Sequence, residues 1–153
     1  MTATGTKPAL LHKESEAAGE YHLQEQVGFV LRKANQRHLS IFASHISDLT
    51  PPQFAALAKL YEDGEASQNQ LGQMIAMDAA TVKGVIDRLR RRGLVQIAEH
   101  KADRRRLLVS LTAKGRRTIE ELLPAAHRIT EETLAPLTAR EAATLLRLLA
   151  KIT

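Results

Sequence analysis

Residues 67–115 constrain the fold more than any other stretch, because helix starts, helix stops and a hairpin follow one another there in a fixed order. Ser67-Gln-Asn-Gln70 is a capping box, with a hydroxyl for a free helix N–H and a long amide reaching back to the cap, so a short helix spans Ser67–Ala76. Asp78 is a natural N-cap and Gly93 a natural stop for a second helix, Asp78–Arg92. The pattern then changes to a hairpin, Leu94–Leu111, whose turn reads Lys101-Ala-Asp-Arg-Arg-Arg106. Two short helices followed by a β-wing make a winged helix-turn-helix, an architecture suited to holding duplex DNA.

Charge points the same way. Residues 81–117 hold twelve Lys/Arg against three Asp/Glu, whereas the rest of the chain holds ten basic and fourteen acidic residues. The whole positive excess of +5 therefore lies on the helix-and-wing segment, and a polyanion is the economical partner. Aromatics are only 3% and Trp is absent, so the core has to be aliphatic. With no cysteine there is no disulfide, thiolate metal site or cysteine nucleophile. No apolar run reaches the roughly 20 residues of a membrane span, and the N-terminus has no stretch of signal-peptide kind. A soluble, cytoplasmic protein is expected.

The expected fold is mainly α with a small β-hairpin wing. Residues 1–19 read as a flexible N-terminal arm. A helix follows through residues 20–48, with Leu23, Val27, Val30, Leu31, Ala34, His38, Ile41 and His45 on one face and an end near Ser47–Asp48. Capping boxes at Thr50-Pro-Pro-Gln53 and Thr138-Ala-Arg-Glu141 start helices over Pro51–Glu62 and Thr138–Lys151, and Gly64 suits the turn after the first. Between the wing and the last helix runs a long helix that Pro124 would kink and Pro136 would end. The DNA-binding lobe would be 49–111, with flanking helices over 20–48 and 112–153.

In the second helix of the central pair, Val82, Val85, Ile86 and Leu89 form the buried stripe. The opposite face presents Ala79, Ala80, Thr81, Lys83, Gly84, Asp87, Arg88 and Arg91. Small residues at its N-terminal end suit close approach to base edges, with Ala and the Thr methyl against thymine methyls, and Arg88 and Arg91 suit the phosphates. Gly84 costs about 1 kcal/mol of helix propensity against Ala. Either backbone approach to DNA or a close helix–helix contact would account for it. In the wing, Arg104, Arg105 and Arg106 suit a narrow minor groove. Asp103, an anion facing phosphates, makes sense as a brace for Arg105.

The run Leu94-Val95…Asp103-Arg104-Arg105…Val109-Ser-Leu-Thr112-Ala-Lys-Gly115, together with Thr81-Val-Lys-Gly-Val-Ile-Asp-Arg88-Leu-Arg-Arg-Arg-Gly93, resembles the signature of the MarR family of bacterial transcription regulators. The likeness extends over roughly residues 23–150. It implies a homodimer built on the N- and C-terminal helices, with Arg105 in the minor groove and Asp103 its brace. It also implies a repressor bound to a pseudo-palindromic operator and released by a small aromatic or heteroaromatic carboxylate such as a hydroxybenzoate or hydroxynicotinate. In a bacterial cytoplasm such a protein would lie on the nucleoid when bound to DNA.

His38 and His45 lie two turns apart, too far to ligate one zinc ion unaided, so no metal or other cofactor is expected. Two readings stand for them. They are core or interface histidines satisfied by a carboxylate or carbonyl, or they belong to an effector pocket with Phe42 and Tyr61, in which Arg32 or Arg37 pairs with the ligand carboxylate. Nothing in the chain reads as catalysis. The rival to a ligand-responsive repressor is a ligand-insensitive architectural DNA-binding protein. An enzyme with an appended winged helix fails on length.

Overall fold

A computed structural model describes residues 19–153; the expected arm, save its last residue, lies outside them. The described residues divide into two units between Ala34 and Asn35. In the first, a 3₁₀ turn covers Leu23–Glu25, and Gln26 is extended before helix α1, Val27–His45, begins. The continuous helix expected from residue 20 is therefore broken. The backbone gives the reason: the Gln26 carbonyl accepts from the Phe29 and Val30 N–H groups, so Gln26 takes the N-cap place, and its side-chain amide turns back to the His22 carbonyl.

The second unit continues with α2 (Pro51–Asp63), β1 (Glu65–Ala66), α3 (Gln68–Met74), α4 (Ala79–Arg91), β2 (Val95–Glu99), β3 (Leu107–Leu111), α5 (Ala113–Leu134) and α6 (Ala139–Leu149). All three capping boxes form, at Thr50, Ser67 and Thr138. Asp78 accepts from the Thr81 N–H at 2.7 Å, a bond that holds its carboxyl below the ordinary value. That cap is intact at neutral pH and is lost only as pH falls through the lowered value. The sheet is antiparallel in the order β1–β3–β2, with Ile97 opposite Val109 at the centre of the hairpin. Strand β1 was not expected; it pairs Glu65 with Ser110 and Ala66 with Val109.

The core is aliphatic. Leu57 and Leu60 of α2, Leu71 of α3, Val82, Ile86 and Leu89 of α4, Leu94, Val109 and Ile119 are all fully buried. The four-residue stripe expected on α4 is buried throughout, each such side chain contributing about 1.5–3 kcal/mol. Burying that stripe turns the opposite face of α4 to solvent, which is the geometry a groove-reading helix requires. Two tight junctions hold it there. The α3–α4 turn carries Ala76 at φ 55°, a left-handed conformation that L-residues avoid. At the other end, Gly93 takes φ 70° and the Thr112 hydroxyl donates to its carbonyl at 2.6 Å, tying α5 to the α4–β2 junction.

Candidate DNA-binding surface and effector cavity

Ala79, Ala80, Thr81, Lys83, Arg88 and Arg91 are exposed on α4, opposite its buried stripe, with Gly84 half-buried among them. The arginines of its last turn, Arg88, Arg90 and Arg91, sit where the helix dipole favours cations. Lys83 donates to Asp87 at 3.0 Å within the helix. Asn69 and Gln73 of α3, which sequence reasoning passed over, flank a groove with Ala79 and Gly72 at the helix-turn-helix. Their only signal in the sequence was their position on the first helix of the pair.

Gly84 resolves one of the two explanations left open for it. Among the described residues a Cβ placed there meets nothing within 4 Å beyond its own turn of helix, so no helix–helix contact among them requires glycine. What remains is the outside of the molecule. Gly84→Ala is therefore expected to raise unfolding free energy by about 1 kcal/mol while weakening operator binding. Urea denaturation and fluorescence anisotropy on the same preparation check the two opposite signs; equal or tighter binding would remove Gly84 from the contact surface.

At the wing, Lys101 through Leu107 are exposed. The Asp103 carboxylate accepts from the backbone N–H of Arg105 at 3.0 Å, and the Arg106 N–H donates to the Asp103 carbonyl at 3.0 Å. Asp103 thus braces the turn through the main chain. Among the described residues it makes no ion pair with a wing guanidinium, so all three arginines stay available to a ligand. His100 closes the base of the turn: its Nδ1 accepts from the Ala102 N–H at 3.1 Å.

A cavity of about 230 Å³ opens between α1, α2 and α5, lined by His38, Phe42, Pro51, Phe54, Ala126, Ile129 and Thr130. Phe42 and Phe54 meet edge to face, with ring centroids 6.0 Å apart. Two of the four sequence-predicted ligand residues, His38 and Phe42, come together here. The other two lie elsewhere. His45 places Nε2 2.7 Å from the Glu132 carboxylate, and Tyr61 lies under the Arg116 guanidinium, 5.3 Å from ring centroid to carbon. Arg37 is committed as well, its guanidinium donating to the carbonyls of Thr133 and Glu132 at 2.5 and 2.8 Å near the C-terminal end of α5. His38 Nδ1 lies 3.0 Å from the Thr133 hydroxyl, which orients the imidazole that faces the cavity.

Residues 49–107 match the model of the MarR family. The repressor NicR of Pseudomonas putida strain KT2440 is 40% identical over 134 residues, spanning 86% of this chain and 85% of that protein. The chain belongs to the MarR family. Among solved structures, a probable transcriptional regulator from Pseudomonas aeruginosa is 50% identical with a TM-score of 0.82, covering 86% of this chain and all of that one. Bordetella bronchiseptica BpsR, whose DNA binding is regulated by 6-hydroxynicotinic acid, is 43% identical with a TM-score of 0.84, over 88% of this chain and 97% of that one. Like other members of the family, the protein is a DNA-binding transcription regulator with a winged-helix fold, and neither its fold nor its relatives are those of an enzyme. No helix among the described residues is long and apolar enough to cross a membrane.

Proposed function

We propose that the protein is a homodimeric repressor that α4 and the wing hold on a pseudo-palindromic operator, and that a small heteroaromatic carboxylate releases it. The observation that carries the effector half is the cavity beside His38. An engineered apolar cavity of roughly 150 Å³ accepts benzene, so about 230 Å³ beside the packed Phe42–Phe54 pair offers room for a single substituted ring. The oriented His38 supplies a polar anchor. The regulation of BpsR by 6-hydroxynicotinic acid supports a hydroxynicotinate as the first compound to try.

Two exposed apolar faces support the dimer, with helices over 20–48 and 112–153 as its scaffold around a DNA-binding lobe of 49–111. Helix α6 buries none of its residues, yet Leu145, Leu146, Leu148 and the following Ile152 are 38–67% exposed. An eleven-residue helix that buries none of its residues is marginal in water, and a second copy of the chain covering it would stabilise it. The N-terminal unit likewise exposes Tyr21, Leu23, Val27, Val30 and Leu31.

Release follows from linkage: a ligand lowers operator affinity only by its differential affinity for the free and DNA-bound conformations. Calorimetry with 6-hydroxynicotinate, paired with operator release, tests this. Binding is expected to weaken at least tenfold in His38→Ala and much less in His45→Ala, whose imidazole is already engaged by Glu132. No release by any small aromatic acid would favour the architectural reading instead.

Arg105→Ala is expected to weaken operator binding without changing fold or dimerisation, since an exposed wing-tip guanidinium supports no core. Asp103→Ala is expected to weaken it too, although it removes a negative charge, because the turn loses the acceptor for the Arg105 N–H. Anisotropy titrations read both; tighter binding by Asp103→Ala would refute the brace.

A further inference from the structure

Every charged group on the solvent face of α4 is a cation except Asp87. Steps of three and four place it on one line with Ala80, Gly84 and Arg91, the line farthest from the buried stripe. Helix stability accounts for little of an anion there. The pair runs Lys83 then Asp87, and the cation-first order is the weaker one at this spacing. On a surface that meets phosphates Asp87 is an electrostatic cost, unless something specific donates to it.

We propose that Asp87 and Lys83 together read one G·C base pair in each operator half-site, the Asp87 carboxylate accepting from the cytosine N4 amino group and the Lys83 ammonium donating to guanine O6 or N7. The ion pair, 3.0 Å between Lys83 Nζ and Asp87 Oδ2, sets a donor beside an acceptor and leaves Oδ1 open. The major-groove edge of G·C presents the complementary order, an acceptor next to a donor. A·T presents a donor and an acceptor too, but with the thymine methyl alongside, which a charged pair would desolvate against without gaining a hydrogen bond. Asp is short, so this contact needs the helix backbone close to the base edges. Gly84, bare between Ala80 and Asp87, permits that approach.

The inference rests on α4 entering the major groove, as proposed above. Selection from a randomised duplex library, followed by affinities for single-base variants of the selected site, tests it on wild type, Lys83→Ala, Asp87→Ala and Asp87→Asn. Wild type is expected to require G·C at one position per half-site. Asp87→Ala should reduce discrimination there by roughly tenfold to a hundredfold while binding non-specific DNA more tightly. Asp87→Asn should move the preference toward adenine, whose N6 and N7 suit an amide. The idea is overturned if Asp87→Ala binds all duplexes tighter with an unchanged profile, or if wild type selects A·T at the position that answers to Asp87. If α4 is not in the groove at all, Lys83→Ala also leaves the profile unaltered, which distinguishes that failure from this one.

Discussion

Gly115→Ala is expected to cost about 3 kcal/mol or more of unfolding free energy, enough to leave a domain of this size barely folded. A Cβ built on Gly115 falls against the Leu94 carbonyl oxygen far inside contact distance, with the Leu94 carbonyl carbon at 2.9 Å. Neither atom can move cheaply. The same Leu94 oxygen accepts from the Thr112 N–H at 3.1 Å, and the Thr112 hydroxyl accepts from the Gly115 N–H at 3.0 Å while donating to Gly93. Lys114 adds a bond to the Arg92 carbonyl at 2.9 Å. One added methyl thus wedges the first turn of α5 away from the junction where α4 passes into the wing. The same substitution at Gly84 should stabilise the fold, so the two variants form an internal control: identical chemistry, opposite environments. A shift of the urea midpoint for Gly115→Ala no larger than that of a surface substitution would mean that α5 does not dock on the Leu94 carbonyl.

Gly115 also shows where sequence reasoning reaches its limit. It closes the run Leu111-Thr-Ala-Lys-Gly115, but no local pattern says why it must be glycine. The reason lies twenty-one residues away, at Leu94. Local signals, by contrast, were legible. A hydroxyl three residues before Gln or Glu fixes a helix start because the cap is made within one turn, and all three capping boxes form. The apolar stripe of α4 was legible because Val82, Val85, Ile86 and Leu89 recur at helical spacing, and with the stripe came the outward face and its basic residues. Strand β1 has two residues and no alternation to read; its partners are Ser110 and Val109. The break at Gln26 has no Gly or Pro to mark it, and it depends on a side chain that caps the preceding turn. The cavity beside His38 was half legible. His38 and Phe42 share a helix, but Phe54 and Ile129 join them only through tertiary packing, and His45 is taken up by Glu132, 87 residues away.

Operator affinity is expected to fall roughly 10³–10⁵-fold between about 50 and 200 mM salt, if a dimer neutralises some six to ten phosphates. Each copy of the chain offers Arg88 and Arg91 on α4 and Arg104, Arg105 and Arg106 on the wing as exposed cations that make no ion pair within the described residues. Lys83 is discounted, since Asp87 already neutralises it. Any of these guanidiniums that meets a base edge rather than a phosphate would bring the ten candidates per dimer toward the lower part of that range. The slope of log affinity against log salt gives the number directly, at about 0.9 per phosphate. Two variants then apportion it. Arg91→Ala should weaken binding to all duplexes alike and flatten the slope by about 2 per dimer, as loss of a phosphate contact on each protomer requires. Arg105→Ala, on the proposal that Arg105 enters the minor groove, should cost affinity chiefly on operator sequence, where groove width varies with base composition. A nearly flat salt response in wild type would overturn the assignment of the basic segment to the DNA backbone. The +9 carried by residues 81–117, set against −4 on the rest of the chain, would then have to answer to some other polyanion.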